Sequence, residues 1–85
     1  DSPTPAPDEL DLRGHSVDES IERLEAFLDY HYGSPTQHVR VIHGHGTGAL
    51  KEAIREHLRR SGYVKSMRPG ERDEGGDGVT VVHLA

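Results

Sequence analysis

The residues best suited to chemistry in this 85-residue chain fall in one run, His43-Gly44-His45-Gly46-Thr47-Gly48, between a β-branched segment and an amphipathic one. Three alternate glycines let the backbone approach a ligand with no Cβ in the way. Where a helix starts after such a run, the free N–H groups of its first turn face an anion and the helix dipole favours negative charge. A phosphate of a nucleic-acid backbone is the natural guest of Gly44, His45, Gly46, Thr47 and Gly48. The same glycines would equally serve a tight strand-to-helix turn. His43-x-His45 spaces two imidazoles for a metal, but with no evident third ligand the metal stays unknown.

Two other groups bear on that run. Asp11 and Arg13 sit two apart on a short alternating segment and so would project from one strand face. If that strand lies beside and parallel to the next, both approach the His43 loop. A carboxylate, a guanidinium, an imidazole and a row of amides would then surround one anion. Such a set suits phosphodiester cleavage, with Asp11 or His43 as base or metal ligand and Arg13 stabilising charge. Alternatively, Asp11 and Arg13 form a pair serving only the sheet surface. Lys51, Arg55 and Arg59 repeat every four residues below the loop and would track phosphates, or form a solvated face paired with Glu52 and Glu56.

Other motifs fail on spacing. Gly44-x-Gly46-x-x-Ala49 lacks the acidic residue and the length of a dinucleotide site, and no Gly-Lys follows Gly44 at the Walker distance. Asp73-x-Gly75-x-Asp77-Gly78 begins like a calcium loop but would place Leu84 where glutamate is needed, so it reads as a hairpin turn.

The elements that must position these groups follow from periodicity. Leu10 to Arg13 reads as a strand. Ser16 and Glu19 fit a capping box ahead of a helix with Val17, Ile21, Leu24, Leu28 and Tyr32 on one face, stopped at Gly33-Ser34-Pro35. His38 to His43 is the second strand, Ala49 to Arg60 the second helix, and Gly62 suits its C′ position. Tyr63 to Arg68 is a third strand, residues 69–78 a polar loop, and Val79 to Leu84 the last strand. The order βαβαββ predicts a two-layer α/β sandwich: a four-stranded mixed sheet, two βαβ units with parallel strands, and a closing antiparallel hairpin. The expected core is Leu10, Val17, Ile21, Leu24, Leu28, Val39, Val41, Leu50, Ile54, Leu58, Val79 and Val81.

Composition narrows the function classes. Eighty-five residues make one small domain, and the absence of cysteine excludes a disulfide scaffold, an iron–sulfur cluster, a thiolate zinc site and a cysteine nucleophile. The net charge of −5 argues against a uniformly basic surface, yet residues 38–68 carry seven bases and two acids between acidic flanks, so a local basic surface remains. No apolar run is long enough to span a membrane, and no targeting signal is seen, which places the chain in the cytoplasm. Residues 1–8, with three of the five prolines, read as a disordered linker, and 9–85 as the domain. A first residue of Asp rather than Met suggests a piece of a longer protein.

Together Leu10-Asp11-Leu12-Arg13-Gly14, the capped helix, Val41-Ile42-His43-Gly44-x-Gly46-Thr47-Gly48-x-Leu50 and Gly75-Gly76-Asp77-Gly78-Val79-Thr80-Val81 resemble the Smr (small MutS-related) domain, in the form that ends the second class of bacterial MutS-type ATPases. The resemblance covers about residues 9–85. It implies a βαβαββ fold similar to the C-terminal domain of a translation initiation factor. It also implies an endonuclease acting on DNA or RNA with little sequence preference, in recombination suppression or ribosome rescue. By position it assigns the first motif to Asp11 and Arg13 and the second to His43, Gly44, Gly46 and Gly48. The messenger-cutting members carry His two residues after the motif Asp, where this chain has Arg13. Arginine cannot act as a base near neutral pH, so the imidazole would come from His15 or His43.

The expectation is therefore a nicking phosphodiesterase with Asp11, Arg13 and His43 catalytic. Gly44, His45, Gly46, Thr47, Gly48, Lys51 and Arg55 would hold nucleic acid, and a divalent ion, Mg or Mn, is a candidate cofactor. The alternative is a docking module that binds branched DNA or ribosomal RNA without cutting. The partners are DNA or RNA and, through them, the ribosome. The isolated domain would be a monomer and the parent a homodimer through other segments.

Overall fold

Apolar side chains recur with the matching period along each element, and the computed structural model, which describes residues 8–35 and 37–85, has β1 (Glu9–Asp11), α1 (Val17–Tyr32), β2 (His38–Ile42), α2 (Ala49–Arg59), β3 (Val64–Pro69) and β4 (Val79–Leu84). The proline-rich linker expected at 1–8 lies outside the described residues up to residue 7. Asp8 stands immediately before β1, its carbonyl accepting the Arg40 amide at 2.8 Å.

The strand order is β1-β2-β4-β3. β1 and β2 are parallel, with Leu10 opposite Val41 and Asp11 opposite Ile42. β4 is antiparallel to both β2 and β3, so β2 and β3 point the same way without touching. The second βαβ unit thus spans a gap that β4 fills. The reason lies in β4's composition: Val79 to Val82 are all buried, which suits a central strand covered on both faces, whereas three-residue β1 suits an edge.

Leu12, Val39, Val41, Val82 and Leu84 share one core with Leu24 and Leu28 of α1 and Ile54 and Leu58 of α2. Leu12, Val82 and Leu84 were not expected there. Leu10, Ile21 and Leu50 are only partly buried, and Val17, in the first turn of α1, is 40% exposed. Glu9, Asp11, His38, Arg40, Val79 and Val81 alternate to the opposite sheet face.

Three local expectations change. Ser16 Oγ accepts the Glu19 amide at 3.2 Å, but the Glu19 carboxylate does not complete the box; it contacts His15 and Arg23, charge-assisted partners that compete with a backbone amide. Gly62 has no left-handed φ, because Arg60 closes α2 with its amide on His57. The loop at 69–78 is built rather than merely polar: it holds two 3-10 turns, Arg72–Glu74 and Gly76–Gly78, the first pinned to the sheet by Arg68, whose guanidinium grips both Glu74 carboxylate oxygens at 2.8 and 3.1 Å. Arg68 holds the Glu74 carboxyl down at about 2. No helix among the described residues is long and apolar enough to cross a membrane.

Candidate functional site

Because β1 and β2 are parallel neighbours, their C-terminal ends open on the same edge of the sheet. β1 ends at Asp11, so Arg13 lies in the turn beyond the strand rather than on its face. The turn folds Arg13 back onto Asp11: its amide and Nε donate to Oδ1 at 3.0 and 2.9 Å, and Nη2 donates to Oδ2 at 2.7 Å. The guanidinium holds the Asp11 carboxyl at about 2. With Nε and one Nη2 hydrogen committed, the remaining guanidinium N–H groups of Arg13 have no acceptor among the described residues, and their orientation is fixed by Asp11.

The glycine loop meets this pair. Gly44, Gly46 and Gly48 take φ of +82°, +45° and +90°, so the loop needs its glycines for the turn itself. Gly44 also leaves room for Arg13: a Cβ there would sit 3.2 Å from the arginine Cγ. The His43 and Gly44 amides both donate to the Gly78 carbonyl, at 3.1 and 2.9 Å, and so are spent on the fold. The amides of His45, Gly46 and Thr47 have no acceptor among the described residues. At the start of α2, the Ala49 amide donates to Thr47 Oγ1 at 3.3 Å. A recess of about 240 Å³ opens here, lined by Arg13, Ile42, Gly44, His45, Glu74, Gly75, Gly78 and Val79. The His45 ring lies on Gly78, where a Cβ would come within 2.9 Å of its Cε1.

His43 faces the other way. It continues the inward alternation of Val39 and Val41 and is buried beneath α2. Its Nδ1–H donates to the Gly44 carbonyl at 3.0 Å, which leaves Nε2 to accept from the Thr80 hydroxyl at 2.8 Å. Thr80 Oγ1 in turn accepts Arg55 Nε–H at 2.8 Å. Each donor finds an acceptor when His43 is neutral, and burial, with lesser help from Arg55 and Lys51, pushes its pKa down. Both ring nitrogens are therefore committed to the scaffold.

The stripe on α2 divides. Lys51 Nζ and Arg55 Nη2 converge on Asp77 of the second 3-10 turn, at 2.5 and 3.3 Å. Arg59 and Arg60 instead pair with Glu56 on the solvent side. The structure thus brings Asp11, Arg13, Gly44 and His45 together at the open edge, and gathers His43, Lys51 and Arg55 beneath it. Thr80, Asp77 and the Gly78 carbonyl were missed as site residues. The available signal was Gly75-Gly76-Asp77-Gly78 itself, a glycine cluster next to a buried strand that marks close backbone approach.

Among the described residues no three His, Asp or Glu side chains come together as a metal cage. A divalent ion at this edge would rest on Asp11, which would give up its contacts to Arg13, and on phosphate oxygens.

Comparison with known proteins follows the same outline. The family model described as Smr domain matches residues 10–85. Endonuclease MutS2 of Anaeromyxobacter sp. (strain Fw109-5) is 52% identical over 75 residues, 88% of this chain and 9% of that protein. Endonuclease MutS2 of Symbiobacterium thermophilum is 51% identical over 76 residues, 89% and 10%. The chain spans about a tenth of the length of these curated relatives. The crystal structure of the Smr domain of Thermus thermophilus MutS2 superposes with a TM-score of 0.87 at 44% identity, covering 91% of this chain and 96% of that one. YdaL, a stand-alone small MutS-related protein from Escherichia coli, shares the fold with a TM-score of 0.86 at 21% identity, over 94% and 66% of the two chains.

Proposed function

The chain belongs to the Smr domain family, and on that premise we propose that it is a nucleic-acid-directed endonuclease domain of a MutS2-type protein, nicking DNA or RNA phosphodiesters with little sequence preference. The observation that carries this reading is a recess at the open edge lined by the pre-oriented Arg13 and by His45, next to His45, Gly46 and Thr47 amides that have no acceptor among the described residues. A phosphate seated there meets one cation and several N–H donors, and in-line attack builds charge toward the same donors. Phosphate contacts carry no sequence information, hence the weak preference. Asp11 orients Arg13, and His43 with Thr80 holds the loop in shape. In the parent protein this edge would be brought to recombining DNA or to RNA on a ribosome.

A second reading is favoured by one observation: the carboxylate of the first motif is locked on Arg13, and no histidine stands at position 13. On it the domain docks on branched DNA or ribosomal RNA without cutting.

Supercoiled plasmid and single-stranded RNA, each incubated with the chain in EDTA, magnesium or manganese, separate the two. Nicking abolished by Arg13→Ala and reduced by Asp11→Ala supports the enzyme, and the EDTA lane reports its metal dependence. Salt-sensitive binding with no cut in any lane establishes the docking module.

A further inference from the structure

The proposed cleavage needs a group that takes a proton near neutral pH, and neither motif supplies one. Asp11 is a carboxylate held at about 2, too acidic to draw a proton from water efficiently. Arg13 stays charged. His43 has both ring nitrogens engaged inside the fold, and His15 sits at the start of α1 with its Nδ1 3.3 Å from Glu19.

His45 differs from both. It is exposed, lines the recess together with Arg13, and no ring hydrogen bond holds it among the described residues. Its ring packs against the one residue type that leaves it space, since a Cβ at Gly78 would come within 2.9 Å of Cε1 and 3.0 Å of Nδ1. We propose that His45 is the proton-transfer residue of the recess, a role that rests on the phosphodiesterase reading above. As the water oxygen bonds to phosphorus, its proton passes to the free nitrogen of the imidazole. The P–O bond to the leaving sugar breaks and that oxygen takes a proton from solvent, so one water is consumed per nick. The recess supports the assignment: Glu74, pinned by Arg68, and Asp11 are ionised throughout the neutral range, and Arg13 is charged throughout it. His45 is the remaining titratable side chain that lines the recess, and no hydrogen bond holds its ring among the described residues.

The test compares the 85-residue chain with its His45→Gln and His45→Ala variants on plasmid nicking, with oligonucleotide binding and thermal melting measured in parallel. His45→Gln should lose about 10²- to 10⁴-fold in kcat while KM and melting stay close to wild type, and the acid limb of its pH–rate profile should flatten. Added imidazole should restore part of the rate in His45→Ala. Full kcat in His45→Gln, with wild type nicking, overturns this assignment alone. A loss confined to KM makes His45 a phosphate ligand and also overturns it. A wild-type chain that binds but cuts nothing removes both this role and the enzyme reading.

Discussion

On one side of Gly44 an imidazole is buried, neutral and satisfied at both nitrogens; two residues on, another lies exposed across a recess beside a guanidinium. The first belongs to a chain of contacts running from Asp77 through Arg55 and Thr80 to His43 and the Gly44 carbonyl. The second lines the recess beside loop amides that have no acceptor among the described residues. On the proposed function, the difference separates two jobs within one glycine-rich motif: the inner side fixes the shape of the loop, and the outer side would present that shape to a phosphate. Changes on the outer side should therefore cost activity without stability, and changes on the inner side the reverse.

The largest effect on the outer side should come from Arg13→Ala. Removing a pre-oriented donor from a developing charge typically costs about 10²–10³ in rate. Arg13 is mostly exposed, so the melting midpoint should not move, which differential scanning fluorimetry beside the nicking assay will read. A large drop in melting temperature would place Arg13 with the scaffold and erase the contrast.

Gly78→Ala tests the same side without removing any charge. Gly78 has an ordinary φ, so alanine suits its backbone, but the methyl group would push against the His45 ring and the Gly44 carbonyl carbon. A displaced ring should lower nicking about 10- to 100-fold, the scale of a misplacement near 1 Å. Unchanged nicking would show that the position of His45 over Gly78 does not matter.

The inner side is probed by Thr80→Val. The substitution keeps shape and burial but removes the hydroxyl that serves both Arg55 and His43, leaving a buried ring nitrogen without its donor. The expected loss is about 1–3 kcal/mol in a urea titration, with kcat of the folded fraction within a few-fold of wild type. The same network predicts a pH dependence. The pKa of His43 is lowered by folding, so below the ordinary imidazole value of about 6.5 the unfolded chain binds the extra proton. Its contribution is present above that pH and lost as pH falls through the lower, folded value. Urea midpoints should decline from pH 7.5 to 5.5, and His43→Gln should remove part of that slope.

These two sides were unequally legible. The inward turn of His43 follows from the alternation of Val39 and Val41, a period the sequence displays. The outward place of His45 was not available, because positive φ at Gly44 and Gly46 breaks the alternation there. The elements themselves were plain: β4 spans the residues its β-branched run marks, and α1 begins at its serine cap. The place of β4 at the sheet centre was half visible in a run apolar on both faces, yet strand order is a long-range choice that local pattern does not encode. Thr80 read as one more β-former among valines. Asp77 lies 26 residues from Lys51 and 22 from Arg55, a separation that only the folded chain closes.

That closure leads to the smallest expected effect and the finest test of the division. Asp77 pairs with both Lys51 and Arg55, and its carboxyl is held low by those two cations, Lys51 first. If the pair belongs wholly to the inner scaffold, Asp77→Asn frees charge that nucleic acid cannot reach, and affinity stays put. If the helix also offers its cations to a phosphate, the carboxylate competes for them, and its removal should tighten oligonucleotide binding about two- to fivefold at low salt and steepen the salt dependence by up to two phosphate contacts. Lys51 and Arg55 keep about a fifth of their side-chain surface or less, 21% and 16%, while Asp77 keeps 53%, so the carboxylate is the partner that a phosphate displaces most readily. Fluorescence anisotropy across a salt series distinguishes the two. A steeper slope in Asp77→Asn extends the binding surface from the recess onto α2, and an unchanged slope confines nucleic-acid contact to the outer side of the glycine loop.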